Sequence, residues 1–586
     1  MGAAGRWVLP LDGAAQPDRA LIGGKAWGIA VMRREGLPVP PAFVVTTEAC
    51  RAYLAEGALP DGLVNELHAG IAMLEAETGR RFGAHERPLL LAVRSGAAVS
   101  MPGMLDTVLN LGIDEGIEAA LAAESGDAIF ARDTHRRFHE MYARIVLKAG
   151  IDGLVPEGSV EEWRAAVVEA GATGGVPEAP ADQLLGAVRA VFESWNGRRA
   201  KRYRRHHGLP DDAGTAVTVQ AMVFGNLGER SGTGVLFTRN PLTGEHAPYG
   251  EYLARAQGED VVSGQQTPQG LDVLASSLPE THAALIDAAR RLEALNRDVQ
   301  DIEFSAQEGT LYLLQTRTAA RAPAAAMRVA VDLVNEGTIS TDEALARVSA
   351  TQVRTLLMPR LDDGAGENAS LLAEGEGASP GIGIGKVVLD ADAAEARGRS
   401  GEDVVLVRPT TSPDDVHGMV AARAVVTATG GATSHAAVVS RSLGVPCVVG
   451  CGEGVGAALA GREVTVDGKA GKVFDGALQV SAPSETDDPY LRQIAAWARA
   501  AAPIAVYRAG DAAPEGAVYL DRLPGGEDPE RLPALLAGAP GAKGGALASD
   551  AGVAAAVAAG LDFIVVRHAL PALLAACASA RAEAAA

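Results

Sequence analysis

The chain has 586 residues, and at ~150 residues per domain that length excludes a single compact core. Its 52 Lys plus Arg against 73 Asp plus Glu give a net charge of −21, which disfavours nucleic acid and anionic membranes as partners. A hydrophobic fraction of 48% excludes wholesale disorder, while 69 Gly and 31 Pro point to close backbone approaches and loops.

In chain order, residues 1–325 mix strand-like runs (Leu89 to Val93, Val217 to Phe224, Val235 to Thr238) with helical stretches. The clearest runs from Asp127 to Lys148, where Phe138, Met141 and Ile145 recur at spacings of three and four and form one apolar face. Residues 326–372 are Ala-rich with helical character and end in a linker, Asp362 to Gly366. Residues 373–482 alternate β-rich runs (Val387 to Leu389, Val404 to Val407, Ala424 to Thr427, Val464 to Val466) with Gly turns, as a small self-contained unit. Pro483 to Pro489 is a second, polar linker. Residues 490–586 read as a few β/α turns with an Ala-rich tail. The expected fold class is α+β and multidomain.

Cys50, Cys447, Cys451 and Cys577 fit neither a zinc ribbon nor a redox dithiol and are expected to be reduced thiols. No apolar run reaches the ~18 residues that span a bilayer. The N-terminus lacks a basic segment followed by an apolar one, and Arg6 stands where an acylation signal needs Ser or Thr. The expectation is a soluble, unexported, cytoplasmic protein.

Three segments carry candidate chemistry. In Gly430 to Pro446, Thr433 or Ser434 can cap a helix, Ala436 to Leu443 suit its body, and Gly444 with Pro446 supply a stop. His435 then lies in the first turn, where free N–H groups and the helix dipole favour a phosphate and a neutral imidazole can accept a phosphoryl group. A lone histidine of this kind is otherwise structural.

Second, Asp301-Ile302-Glu303-Phe304 and Leu311 to Arg317 form a hairpin. With a three-residue loop, Ala306 pairs with Thr310 and Asp301 faces Gln315. Asp301, Glu303, Gln315 and Arg317 then share one face, while Ile302, Phe304, Tyr312 and Leu314 line the other. A two-residue loop would place the polar sets on opposite faces. A converged set could hold Mg²⁺ beside a phosphate-neutralising Arg317; the alternative is a solvent-facing amphipathic hairpin.

Third, Gly23-Gly24-Lys25 and Arg94-Ser95-Gly96 through Gly103 set cations beside small residues that let backbone approach a phosphate, though neither is a P-loop. The basic run Arg198 to Arg205 reads as a solvated helix face.

These residues resemble the pyruvate, phosphate dikinase family. The resemblance runs through Leu37 to Pro41, Val93 to Gly112, Phe192 to Asn196, Met222 to Asn226, Ser231 to Pro241, Ala256 to Asp260, Gln300 to Thr318 and Arg408 to Gly452. It implies an ATP-grasp nucleotide domain at 1–325, a helical linker at 326–372, a swivelling phosphohistidine domain at 373–482 and a truncated or degenerate C-terminal α/β segment at 490–586. It also implies that ATP and inorganic phosphate phosphorylate His435, leaving AMP and pyrophosphate, and that pyruvate takes the phosphoryl group to become phosphoenolpyruvate.

By the same resemblance, Lys25 and Arg94 would neutralise the triphosphate, Gly96 to Gly103 would cover it, and Met222 and Val223 would lie near the adenine. Asp301, Glu303 and Gln315 would hold magnesium and nucleotide, Arg317 would stabilise the transferring group, and Thr433 would be the position switched off by phosphorylation. Two features depart from the family. Trp27 puts a bulky ring two residues from Lys25, and the segment after Pro489 is too short for the family's pyruvate-binding barrel of ~250 residues. A separate barrel protein acting in trans is therefore an expected partner. The other readings are a different small-molecule acceptor and a non-catalytic ATP-binding regulatory subunit.

Overall fold

The computed structural model describes residues 7–585 except 100, 102–105, 152, 173, 207, 263–266, 358–359, 363, 367–368 and 482–483. Gly103, expected to cover the triphosphate, lies outside the described residues.

Two five-stranded sheets build the first half. In one the order is Val8–Pro10, Ala42–Val45, Ala216–Ala221, Leu91–Gly96, Thr107–Leu111, and every neighbouring pair is antiparallel. In the other it is Gln269–Gly270, Tyr249–Ala254, Gly232–Phe237, Gln300–Gln307, Thr310–Thr318, again antiparallel throughout. Alternation gives each strand one apolar side. Val44 and Ala216 of the first sheet share an apolar layer with Leu236, Ile302, Phe304 and Leu313 of the second.

The helix Arg19–Arg34 joins that layer through Ile22, Ala26 and Ile29, and Asp18 caps it by accepting from Ala20 N–H. A Cβ on Gly28 would stand 2.8 Å from the Thr316 carbonyl oxygen, so only glycine lets this helix lie so close to the strand Thr310–Thr318. On the far side of the first sheet, the helix Ala128–Ile145 buries Phe130, Phe138 and Tyr142, and Asp127 caps Ile129 and Phe130. It stops at Ile145, short of the expected Lys148, which adopts φ 56°.

The third sheet has eight strands and lies within residues 371–475. Its central strands Ile382–Val388, Val404–Arg408, Ala424–Thr427 and Cys447–Val449 run parallel to one another. Val404, Leu406 and Val425 feed one apolar cluster, and Val405, Val407 and Val426 feed a second on the opposite face. Such double-sided burial explains why these runs are nearly pure valine and leucine.

A fourth, all-parallel sheet orders Ala505–Arg508, Phe563–Val566, Gly541–Lys543, Ala517–Tyr519. Its Ile564 and the neighbouring Leu491, Ile494 and Leu573 share one core with Met327, Leu333, Leu345 and Val353 from the helices of residues 323–356. Among the described residues, no helix is long and apolar enough to cross a membrane.

Candidate active site

The hairpin departs from its expected register. Gln307 pairs with Thr310, so the turn has two residues, Glu308 and Gly309, at φ 49° and 80°. That turn alone would divide the polar residues between two faces. A bulge between Glu303 and Phe304 restores the parity: Phe304 pairs with Leu313 but Glu303 pairs with Gln315, so Leu314 is the extra residue. Asp301 then opposes Arg317 rather than Gln315. The four polar residues share one face by a different route. Leu313 joins the apolar layer, whereas Leu314 lines the cleft and Tyr312 opposes Ser305, another cleft residue, reversing their expected side.

Charges on that face pair in a chain. Arg317 donates from Nε and Nη2 to Asp301 Oδ2 at 2.8 and 2.7 Å, and Arg94 donates to Glu303 Oε2 at 2.7 Å. Desolvation opposes ionisation of Glu303, but Arg94, Arg317 and Lys25 outweigh it and hold its pKa below the usual carboxylate range. Asp301 goes the other way: desolvation dominates, and its pKa rises despite Arg317. Lys25, on the helix Arg19–Arg34, is desolvated and faces Arg94, which lowers its pKa to about 8. Lys25, Arg94 and Arg317 outnumber Asp301 and Glu303, and the surplus positive charge suits an anion.

Glycine makes this convergence possible. Gly23 has φ 77°, and a Cβ there would stand 2.1 Å from the Gly96 carbonyl oxygen, while Gly24 N–H donates to the Ala97 carbonyl at 2.8 Å. Trp27 packs with the apolar layer, with the Arg19 guanidinium 5.6 Å from the ring centre.

The cleft is a cavity of about 340 Å³ lined by Arg94, Glu303, Met222, Val223, Glu259 and Leu314, among others. Phe224 instead stacks edge-on against Phe130 at 5.2 Å. Gln315 is buried and its Oε1 has no partner among the described residues. Asp301, Glu303 and Gln315 thus form an all-oxygen donor set containing one unspent amide oxygen, which fits a hard cation such as Mg²⁺.

His435 opens the helix His435–Leu443, capped by Ser434 and ended by Gly444 at φ 68°. Its Nδ1 lies 3.2 Å from Thr411 Oγ1, and its Nε2 has no partner among the described residues. Desolvation lowers the ring's pKa to about 4; Asp415 opposes this and Arg199 adds to it, so the imidazole is neutral at pH 7.

The unit carrying His435 rests on the half of the chain built from the two five-stranded sheets. Val416 packs in one cluster with Ala97, Met101 and Trp195, beside the Gly23–Gly96 contact. The buried Thr433 donates its hydroxyl hydrogen bond to Glu251. The basic run is not simply solvated: Arg199 reaches Asp414 at 3.7 Å, Arg202 reaches Glu395 at 3.8 Å, and buried Arg204 stacks 4.1 Å from Trp195. Glu395 also belongs to the cluster Asp392, Glu395 and His417, but Arg399 pairs with it at 2.7 Å. Sequence reading missed Thr411, Glu251 and Arg199, because only tertiary packing brings them to His435 and Thr433. The one legible signal was the density of arginine around Arg199.

Two family models match the chain: "Pyruvate phosphate dikinase, AMP/ATP-binding domain" over residues 19–69 and 62–283, and "PEP-utilising enzyme, mobile domain" over residues 400–471. The class they define is an AMP/ATP-binding lobe coupled to the mobile domain of a PEP-utilising enzyme. Pyruvate, phosphate dikinase of Clostridium symbiosum is 42% identical over 528 residues, which are 84% of this chain and 60% of that enzyme. That of Rhizobium meliloti is 42% identical over 548 residues, with the same coverage. Pyruvate, phosphate dikinase 1, chloroplastic, of Oryza sativa subsp. japonica is 46% identical over 454 residues, 74% of this chain and 48% of that protein. The chain belongs to the pyruvate, phosphate dikinase family. It spans about 60% of the length of the first two relatives.

Proposed function

We propose that this chain is an ATP-dependent phosphotransferase that phosphorylates His435 and passes the group to pyruvate. His435 Nε2 takes the β-phosphoryl group of ATP while inorganic phosphate takes the γ-phosphoryl, releasing AMP and pyrophosphate. Pyruvate, as its enolate oxygen, then attacks phosphohistidine to give phosphoenolpyruvate and free His435. The observation that supports this most is the unpartnered Nε2 on a neutral ring, carried by a unit packed on the glycine contact that holds Lys25.

In this reading residues 1–325 are an ATP-grasp domain, 326–372 a helical linker, 373–482 a swivelling phosphohistidine domain and 490–586 a reduced α/β segment, working in the cytoplasm. Met222 and Val223 flank the adenine, Lys25 and Arg94 neutralise the triphosphate beside Gly96, and Arg317 follows the transferring group. Asp301, Glu303 and Gln315 hold Mg²⁺, which when bound supplies charge neutralisation to phosphate oxygens. Phosphorylation of Thr433 would set a dianion against Glu251 and oppose docking, making Thr433 the regulatory position. The pyruvate half-reaction needs a pyruvate-binding barrel, which the described residues do not form.

Incubation with ATP labelled at the β position, with and without inorganic phosphate, tests the reading. It predicts an acid-labile label that His435→Ala abolishes, and phosphoenolpyruvate once pyruvate and a barrel are added. No label under any condition means a nucleotide-binding regulatory subunit; label without phosphoenolpyruvate means another acceptor.

A further inference from the structure

Arg441 lies six residues beyond His435 on the same helix, ~9 Å along its axis. It is 2% exposed, and Nη1 donates to the Ala378 carbonyl at 3.0 Å, while Nε and Nη2 have no partner among the described residues. A guanidinium buried with two idle donors is costly unless acceptors or negative charge lie nearby. Electrostatically it is acted on by the Cys447 thiol of its own unit and, from the nucleotide side, by Asp301, Tyr249 and Glu251.

The opposite surface has the matching deficit. Glu251 is buried, receives the Thr433 hydroxyl and the Ala432 N–H, and lies beside Glu376, which also accepts from Ala432 N–H at 3.1 Å. Tyr249 meets Glu376 across the same contact at 3.3 Å. Two carboxylates converge on one peptide nitrogen, and Arg441 is the cation that acts on Glu251. It also acts on Asp301, one of the carboxylates of the proposed metal set.

We propose that Arg441 is a positioning residue that holds the His435 helix against the nucleotide side, its guanidinium balancing the carboxylates of Glu251 and Asp301 across the contact. The inference rests on the phosphohistidine reading. Arg441 touches no reacting atom; it sets how often His435 Nε2 is presented to the nucleotide.

The test uses the full chain as wild type, Arg441→Met and Arg441→Lys. Single-turnover labelling with β-labelled ATP should fall at least tenfold in Arg441→Met, with the KM for ATP within twofold of wild type. Arg441→Lys, which keeps the charge without the planar fork, should recover part of the rate. Small-angle scattering should show Arg441→Met shifted toward an undocked, larger form. Wild-type labelling kinetics in Arg441→Met, or a parallel loss of ATP affinity, would overturn the proposal. If Arg441→Met does not fold, Arg441→Gln and Arg441→Lys carry the same comparison. Absence of label in wild type would sink the phosphohistidine reading instead, and scattering, which needs no turnover, would still decide for or against Arg441.

Discussion

Thr411 Oγ1 lies 3.2 Å from His435 Nδ1. A hydroxyl that accepts from Nδ1–H fixes the tautomer in which Nε2 keeps its lone pair, and Nε2 is the ring nitrogen without a partner. Loss of one such hydrogen bond costs about 1 kcal/mol, roughly fivefold in rate. Thr411→Val should therefore slow labelling of His435 by about five- to tenfold at unchanged KM for ATP, while Thr411→Ser should stay near wild type. Equal rates in both variants would remove the tautomer argument.

The depressed pKa of His435 has a signed consequence. Between the ordinary value near 6.5 and about 4, an unfolded or undocked chain binds a proton that the docked ring refuses. Stability of the docked form is therefore fully present above pH 6.5 and lost as pH falls through that window. Thermal melts of wild type and His435→Asn should converge on acidification from pH 7 to 4. The labelling rate should lack an inflection near 6.5, and finding one would show a solvated ring.

Gln315 is buried with an idle amide oxygen, so Gln315→Leu removes an unsatisfied polar atom. Such a change is near neutral or stabilising for the fold. It should nonetheless weaken Mg²⁺-dependent ATP binding more than tenfold, and chelation of Mg²⁺ should abolish labelling in wild type. Calorimetric titration of ATP with and without Mg²⁺ checks this; wild-type affinity in Gln315→Leu would take the amide out of the metal set.

Gly23→Ala tests the backbone contact. The variant demands φ 77° from an L-residue and drives a Cβ into the Gly96 carbonyl. Strain of this kind costs about 1–3 kcal/mol. The melting temperature should drop and the KM for ATP should rise at least tenfold; an unchanged KM would mean that the Gly23–Gly96 contact does not place Lys25.

Local chemistry was legible in the sequence. Ser434 and Gly444 bracket the helix His435–Leu443 as caps do, and the run Ala424 to Thr427 is the strand found there. The hairpin was legible only as to which polar residues share a face. Leu313 and Leu314 are both apolar, so alternation could not say which is extra, and a bulge has no composition of its own. Apart from the arginine density around Arg199, the partners around His435 and Thr433 were not legible. Glu251 meets Thr433 across 182 positions of chain, and nothing in a strand sequence announces that one of its side chains will meet another unit.

The two-residue turn and the extra Leu314 are mutually compensating shifts. Asp301 and Glu303 are pinned independently by pairing with the strand Gly232–Phe237, so a one-residue deletion at Leu314 would rotate Gln315 and Arg317 into the apolar layer and leave both acids behind. Length changes in this ribbon can survive only as matched pairs. Natural variants should therefore show no isolated insertion or deletion between positions 304 and 315, however freely the side chains there are exchanged.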